Sequence, residues 1–169
     1  AGVDAAERSG GAAMSEAHEA TIVVRVEGQM TIAGKAIDAS QGGVLALRFE
    51  GDGTLAAAEL LDLSGPAGTL APSPKVARLA GDGVIVGGAG FLAQVDAALA
   101  TTWHHRYAGD VTVADIASGS DGAMFATGSY AGEFEPGGGA EAAVEHHAAF
   151  IAELEGDGIL WSERLGGEI

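Results

Sequence analysis

The amino-acid sequence predicts an all-β fold, a β-propeller-like array of about three four-stranded blades. The main observation is a sequence repeat, which we call the repeated phrase, that occurs three times along the chain. The fullest copy runs from Phe150 to Gly167, a second occupies residues 91–109, and a partial copy without the tryptophan covers residues 45–55. Repetition at a fixed period is the signature of repeat architectures, and four short strands per unit are typical of propellers.

The composition supports stacked sheets as the way in which these units pack. Glycine accounts for 28 of the 169 residues, while aromatic residues make up only 5% of the chain. A core built from such small residues requires backbones that approach each other closely. Stacked sheets meet that requirement better than a loosely packed helical bundle does.

Turn signals divide the chain into an arm and three units. Residues 1–20 are small, polar and acidic, which predicts a flexible arm with at most a short helix over residues 12–20. The propeller-like domain is expected to cover residues 21–169, with blades at about 21–64, 75–109 and 110–169. The first interval between copies of the phrase lies near the roughly 40–45 residues of propeller blades, and a long loop in the third unit lengthens the second interval.

Within the units, alternating apolar residues and Asp-Gly turns predict the individual strands. Asp-Gly supplies the positive φ that tight hairpin turns require. The expected strands are Thr21–Glu27, Met30–Lys35, Val44–Glu50 and one from Thr54 in unit one; 76–80, 84–87, 91–96 and 101–107 in unit two; 111–117, 123–129, 150–155 and 159–165 in unit three. A long glycine-rich loop is expected over residues 130–147.

Three stretches of the sequence resemble a known family. They are residues 115–130, residues 132–139 and the phrase Phe150–Gly167. They are similar to bacterial SBBP-type beta-propeller repeats, which occur in glycine-rich secreted proteins and lipoproteins. The resemblance implies a propeller that is secreted or displayed on a bacterial surface, and it implies no shared catalytic motif.

Three blades leave the two end faces of the array uncovered. Strand spacing and length give each face an area of about 350 Å², and covering both faces is worth on the order of 15 kcal/mol. We therefore expect self-association, such as two chains closing a six-bladed ring, or a longer chain that supplies further blades. A three-sided prism or a sandwich of the same strands is the alternative architecture.

The charge excludes some classes of partner. A net charge of −16 argues against binding to nucleic acid, which depends on Lys and Arg. It also argues against an anionic membrane surface, and no apolar run reaches the roughly 18 residues of a membrane helix. The chain has no cysteine, so neither a disulfide nor a thiolate site can form.

The long loop of the third unit is the expected contact element, because loops on rigid scaffolds carry recognition. Its candidate binding residues are Tyr130, Phe134, Glu135, His146 and His147. The interpretation of these histidines as solvated side chains, and not as metal ligands, is favoured.

Trp103 and Trp161 occupy equivalent places in the repeated phrase and could offer stacking faces to a sugar. The simpler interpretation is that both pack within the outer strands. The Gly-Asp-Gly triplets at 51–53, 81–83 and 156–158 are read as hairpin turns, because a calcium loop requires several closely spaced oxygen ligands.

These observations predict a non-enzymatic structural or adhesive module that binds a protein partner or itself. No catalytic residue, metal or cofactor is assigned, since no nucleophile elbow or phosphate-binding loop is present. A carbohydrate-binding propeller lectin is the alternative function.

Overall fold

The computed structural model contains three four-stranded antiparallel sheets, each formed by four consecutive strands. It describes residues 8–15, 18–61, 63, 74–79, 83–107, 110–119, 123–134, 141–155 and 158–165, and none of these is helical. The all-β class and the four-strand units predicted from the sequence are therefore confirmed.

We call the sheets sheet 1, sheet 2 and sheet 3 in chain order. Sheet 1 comprises β1 (Arg8–Met14), β2 (Ala20–Ile32), β3 (Lys35–Phe49) and β4 (Leu55–Leu61). Sheet 2 comprises β5 (Lys75–Arg78), β6 (Val84–Gly88), β7 (Phe91–Val95) and β8 (Thr101–Arg106). Sheet 3 comprises β9 (Asp110–Ser118), β10 (Met124–Phe134), β11 (Glu141–Glu155) and β12 (Gly158–Leu165).

Sheet 2 lies between the other two, and its central strands β6 and β7 are buried on both faces. Val23 of sheet 1 and Phe91 of sheet 2 belong to one hydrophobic core. Leu92, the next residue along β7, points to the other face and shares a second core with Phe150 of sheet 3. The first strands of the three sheets are neighbours, because β5 contacts β1 on one side and β9 on the other.

Glycine allows the sheets to approach each other at two places. A Cβ at Gly11 in β1 would lie 3.0 Å from the side chain of Val76 in β5. A Cβ at Gly87 in β6 would lie 2.8 Å from methyl groups of both Val113 and Ile116 in β9. Any larger residue would push neighbouring sheets apart, so these glycines fulfil the expectation of close packing that the composition raised.

The turn between β6 and β7 joins sheet 2 to sheet 3 through the backbone. The N–H of Gly90 donates a hydrogen bond to the carbonyl of Val111 at 2.7 Å, and the N–H of Tyr107 donates to the carbonyl of Gly90 at 2.9 Å. Gly90 has φ +71°, a left-handed conformation that glycine adopts without strain.

The repeated phrase has the same pairing register in all three sheets. Leu45, Phe91 and Phe150 are equivalent third-strand residues. Leu45 points toward the outer face of sheet 1, whereas Phe91 and Phe150 point toward the preceding sheet. The pairing of the third with the fourth strand also shifts register at the same position of each sheet, namely at Arg48/Phe49, Gln94/Val95 and Glu153/Leu154. The phrase therefore encodes one hairpin, made by the third and fourth strands of each sheet.

A folded hairpin covers the outer face of sheet 1. The hairpin β2–β3 extends beyond the body of the sheet, and its residues Ile37 and Ala39 are buried in one cluster with Leu45. Lys35, the first residue of β3, donates a hydrogen bond to the carbonyl of Ala58 in β4 at 2.9 Å and forms an ion pair with Glu59. We call residues 28–42 the cap.

Glycines at the two ends of the cap permit this fold. Gly28 has φ +96° and Gly42 has φ +75°, and the pairing of β2 with β3 shifts register between Val26 and Gly28. A bulge with glycine in the left-handed region bends a strand pair sharply. The end face that the sequence predicted to be open is therefore covered by the chain itself.

The structure corrects three details of the expected strands. Arg8–Met14 form β1, so this part of the expected flexible arm is a strand, and the expected strands at 21–27 and 30–35 belong to the single hairpin β2–β3. The expected loop at 130–147 is mostly strand, because β10 and β11 continue into it from both sides. The strands of units two and three are otherwise confirmed within a few residues.

Candidate functional site

The outer face of sheet 3 is the candidate functional surface, because no part of the described chain packs on it. The pairing register places three cross-strand rows on this face. The first row is Ala117, Phe125, Glu153 and Trp161; the second is Asp115, Thr127, Ile151 and Glu163; the third is Thr112, Ser129, Ala149 and Leu165.

The equivalent positions of the other two sheets are buried under the next sheet. Ile151 corresponds to Leu92 in sheet 2 and to Ala46 in sheet 1, both of which have no exposed surface. Trp161 corresponds to Trp103, which packs against the core between sheets 2 and 3. Ile151 is half-buried, and Trp161 keeps 37% of its surface exposed.

The side chain of Trp161 is held by two neighbours on this face. Its indole N–H donates a hydrogen bond to a carboxylate oxygen of Glu153, the residue directly opposite on β11. The ring of Phe125 meets it edge-on, with centroids 6.5 Å apart and an interplanar angle of 61°. Such T-shaped pairs are favourable arrangements of aromatic rings. These two contacts orient the ring of Trp161 on the outer face of sheet 3.

The rest of the face is polar and negatively charged. Asp115, Glu153 and Glu163 carry the charges of these three rows, and Asp110 lies on the same face at the start of β9, beside His147. None of the described residues with a side chain on this face is Lys or Arg. Arg164, the neighbour of Glu163 along β12, points to the opposite face of the sheet. The face therefore combines exposed apolar groups with a negative potential.

The predicted loop residues are placed differently from one another. Tyr130 is in β10 with no exposed surface, in ring contact with Phe150 at 6.5 Å, so it has no surface to offer to a partner. His147 is exposed on β11 and lies 3.8 Å from the carboxylate of Asp110. Phe134 and His146 belong to β10 and β11, but their side chains and the whole of Glu135 lie outside the described residues.

The two predicted tryptophans have different environments. Trp103 is half-buried and its ring stacks on that of His105 at 6.4 Å, while His105 in turn meets the ring of Tyr107 at 4.7 Å. His104 points to the other side of β8 and is exposed, as the alternation of a strand requires. Of the two tryptophans, Trp161 has the more accessible ring.

The first Gly-Asp-Gly triplet forms the predicted hairpin turn. The carboxylate of Asp52 accepts a hydrogen bond from the N–H of Thr54 at 2.8 Å, and this bond holds the pKa of Asp52 below its usual range. The other two triplets connect paired strands, although their tips lie outside the described residues. Over the described residues, no three acidic or histidine side chains come together as metal ligands.

A shallow cleft at the rim between sheets 1 and 2 contains Arg48. The guanidinium of Arg48 donates one hydrogen bond to the carbonyl of Ala97 in the turn between β7 and β8, and another to Glu19 at 2.7 Å. Arg48 thus links sheet 1 to sheet 2, which is a structural role. The sequence analysis could not predict these two contacts of Arg48, since they join segments that are far apart in the sequence.

The sequence reasoning also missed the acidic residues on the outer face of sheet 3. Their signal is the alternation along β11, in which Phe150, Ala152 and Leu154 are apolar on one side while Glu153 interrupts the apolar pattern on the other. In sheet 2 the equivalent of Glu153 is Gln94, an uncharged residue in the otherwise apolar β6 and β7.

Comparison with known proteins adds no assignment. The chain matches none of the protein-family models against which it was scanned, and no curated protein matches it significantly. In the described part of the chain, no helix has the length and apolar character needed to cross a membrane.

Proposed function

We propose that this chain is a non-enzymatic structural or adhesive module that binds a protein partner through the outer face of sheet 3. The proposal treats the three sheets as propeller-like blades and, through the resemblance to bacterial SBBP-type repeats, places the protein outside the cell or on a bacterial surface. It assigns no catalytic residue and no cofactor.

The observation that carries the proposal is the repeat itself. In sheets 1 and 2, the positions equivalent to Ile151 lie entirely beneath the following sheet. In sheet 3 the same position remains half-exposed, next to an oriented Trp161. The outer face of sheet 3 therefore continues the geometry of two interfaces that the chain already forms.

The arrangement supports assembly at one end of the stack. A six-bladed ring of two chains would require a free outer face on sheet 1 as well, and the cap occupies that face. The side-by-side first strands of the three sheets are compatible with propeller blades. A partner that covers sheet 3 alone is consistent with both features.

Site-specific photocrosslinking tests this proposal, because the absence of cysteine allows one label per chain. Ala149→Cys places a benzophenone label on the outer face of sheet 3, and Ala36→Cys places the same label on the cap at the other end. Both alanines are exposed strand residues, so the two variants are matched.

Labelled protein is mixed with the extracellular and envelope fractions of the organism that makes it. We expect a saturable crosslink to one protein from Ala149→Cys, suppressed by excess unlabelled chain, and none from Ala36→Cys. Equal crosslinking from both positions, or no saturable product from Ala149→Cys, would contradict the proposal.

The exposed ring of Trp161 favours carbohydrate binding as the second candidate. An aromatic face bordered by Glu153 and Glu163 provides both a stacking surface and hydroxyl acceptors. A glycan array tests this alternative. Signals that disappear with Trp161→Ala but persist with Trp103→Phe would favour it over the protein partner, and an array without signals would remove it.

A further inference from the structure

We infer that the partner presents cationic side chains, with an arginine or lysine lying on the ring of Trp161 between carboxylates of sheet 3. This inference rests on the proposed function, because it names the chemistry of the partner at the same face. The occupant to which it commits is an extended, strand-forming segment of another protein that alternates apolar and basic residues.

The positions of the carboxylates around Trp161 support a cation at this place. Glu153 is directly opposite Trp161 across the strand pair, and Glu163 follows it two residues later on the same side of β12. Directly opposite residues on one face have Cβ atoms roughly 4.5–5.5 Å apart, and diagonal neighbours lie within reach of long side chains. Asp115 adds a third negative charge at the far end of the row that contains Glu163.

The orientation of Trp161 makes it suitable for a cation. Its N–H is already donated to Glu153, and the ring of Phe125 approaches it at 61°. Tryptophan is the best aromatic partner for a guanidinium or ammonium group lying over its face. Arginine also pairs with carboxylates while it stacks on a ring, so one side chain could satisfy both features.

A second copy of the chain fits this face less well. Two identical faces would bring two sets of Asp115, Glu153 and Glu163 together, and like charges facing each other across an interface are unfavourable. The outward side of the cap, which a head-to-tail contact would present, carries Asp38 and the neighbouring Glu27, both exposed and acidic. Lys35, the one lysine of the cap, already forms an ion pair with Glu59. Charge complementarity therefore points to a basic partner of different sequence.

The test uses a peptide probe whose residues alternate in type, because alternate residues of an extended strand face the same side. We use an octapeptide that alternates arginine and valine, and a matched octapeptide in which citrulline replaces arginine. Citrulline keeps the planar hydrogen-bonding group but removes the charge. Binding to the uniformly ¹⁵N-labelled chain is followed through the two tryptophan indole N–H resonances, with Trp103 as the internal control.

We expect the arginine peptide to shift the indole resonance of Trp161 and to leave that of Trp103 unchanged. The citrulline peptide should bind at least about tenfold more weakly, and the arginine peptide should lose affinity as salt is added. Glu163→Gln should raise the Kd of the arginine peptide about three- to tenfold. Glu27→Gln, which removes one exposed charge from β2, should leave the Kd unchanged.

The failures of the two proposals can be distinguished. Equal binding of both peptides, or shifts that avoid sheet 3, would overturn the inference about charge without affecting the photocrosslinking result. A crosslinked partner whose contacting segment has no basic residues would do the same. If Glu163→Gln and Glu27→Gln weaken binding equally, the peptide responds only to net charge and the site at Trp161 is excluded.

Discussion

At the scale of single residues, equivalent positions of the repeat carry different side chains because their surroundings differ. Gly87 in sheet 2 and Thr127 in sheet 3 occupy the same register position. Gly87 lies under sheet 3, where a Cβ would meet two methyl groups at 2.8 Å, whereas Thr127 faces outward. A glycine is therefore required at this position where another sheet packs on it, and a larger residue is accommodated where none does.

This difference predicts how well each of the two positions tolerates a substitution by an apolar residue. Gly87→Ala should lower the free energy of unfolding by about 1–3 kcal/mol, since overpacking a close interface displaces its neighbours. Thr127→Val, which keeps the volume on the outer face, should change it by less than about 0.5 kcal/mol. Urea unfolding followed by circular dichroism measures both values, and equal effects would contradict the assigned packing.

Tyr107 provides a pH-dependent prediction. Burial raises the pKa of its hydroxyl above the usual value of 10.0. The folded state holds the phenol protonated while the unfolded chain releases its proton, so stability is fully present below pH 10 and decreases as the pH rises above it. Tyr107→Phe should therefore lose less stability than the wild type between about pH 10 and pH 12. Urea unfolding at several alkaline pH values tests this, and parallel losses would refute it.

At the scale of secondary-structure elements, local sequence predicts hairpins well and edge strands poorly. The strands of sheet 2 follow from apolar runs bounded by glycine turns. The residues of β1, Arg8–Met14, are mostly glycine and alanine with no apolar alternation, and pairing with β2 makes them a strand. Such a segment has little intrinsic β-propensity, so tertiary context decides its conformation.

The cap is the element on which the covering of sheet 1 depends. Ile37→Ala removes a buried side chain and should destabilise the cap by about 2–4 kcal/mol. We expect faster hydrogen exchange at amides of residues 28–42, with amides of sheet 2 unchanged. Thr31→Ala, an exposed position on the same hairpin, serves as the control. Unchanged exchange in Ile37→Ala would show that the cap does not depend on this contact.

At the scale of the whole molecule, the two ends of the stack are not alike. Sheet 1 ends beneath the cap, and sheet 3 ends in an acidic face with an exposed tryptophan. The large negative charge of the chain opposes self-association in general. At the outer face of sheet 3, the carboxylates lie among the exposed apolar groups. Charge repulsion therefore acts at the place where two chains would otherwise associate.

Removing these charges should therefore produce self-association. The triple variant Asp115→Asn, Glu153→Gln and Glu163→Gln is expected to form dimers, while the wild-type chain stays monomeric. A control that removes three exposed charges elsewhere, Glu27→Gln, Asp38→Asn and Glu50→Gln, should also stay monomeric. Size-exclusion chromatography with light scattering measures the masses. A wild-type dimer would contradict the assigned effect of these charges.

The sequence by itself determined the all-β class and the third and fourth strands of each sheet, since strand periodicity, glycine turns and the repeated phrase are local features. It also placed Trp103 and Trp161 at one equivalent position of the repeat. Only the tertiary structure decided which faces are covered: the cap buries one end, Tyr130 turns into the core, and Trp161 stays exposed. The reason is physical, because burial depends on which segments meet in space, and identical hairpins become interior or surface according to whether another sheet follows them.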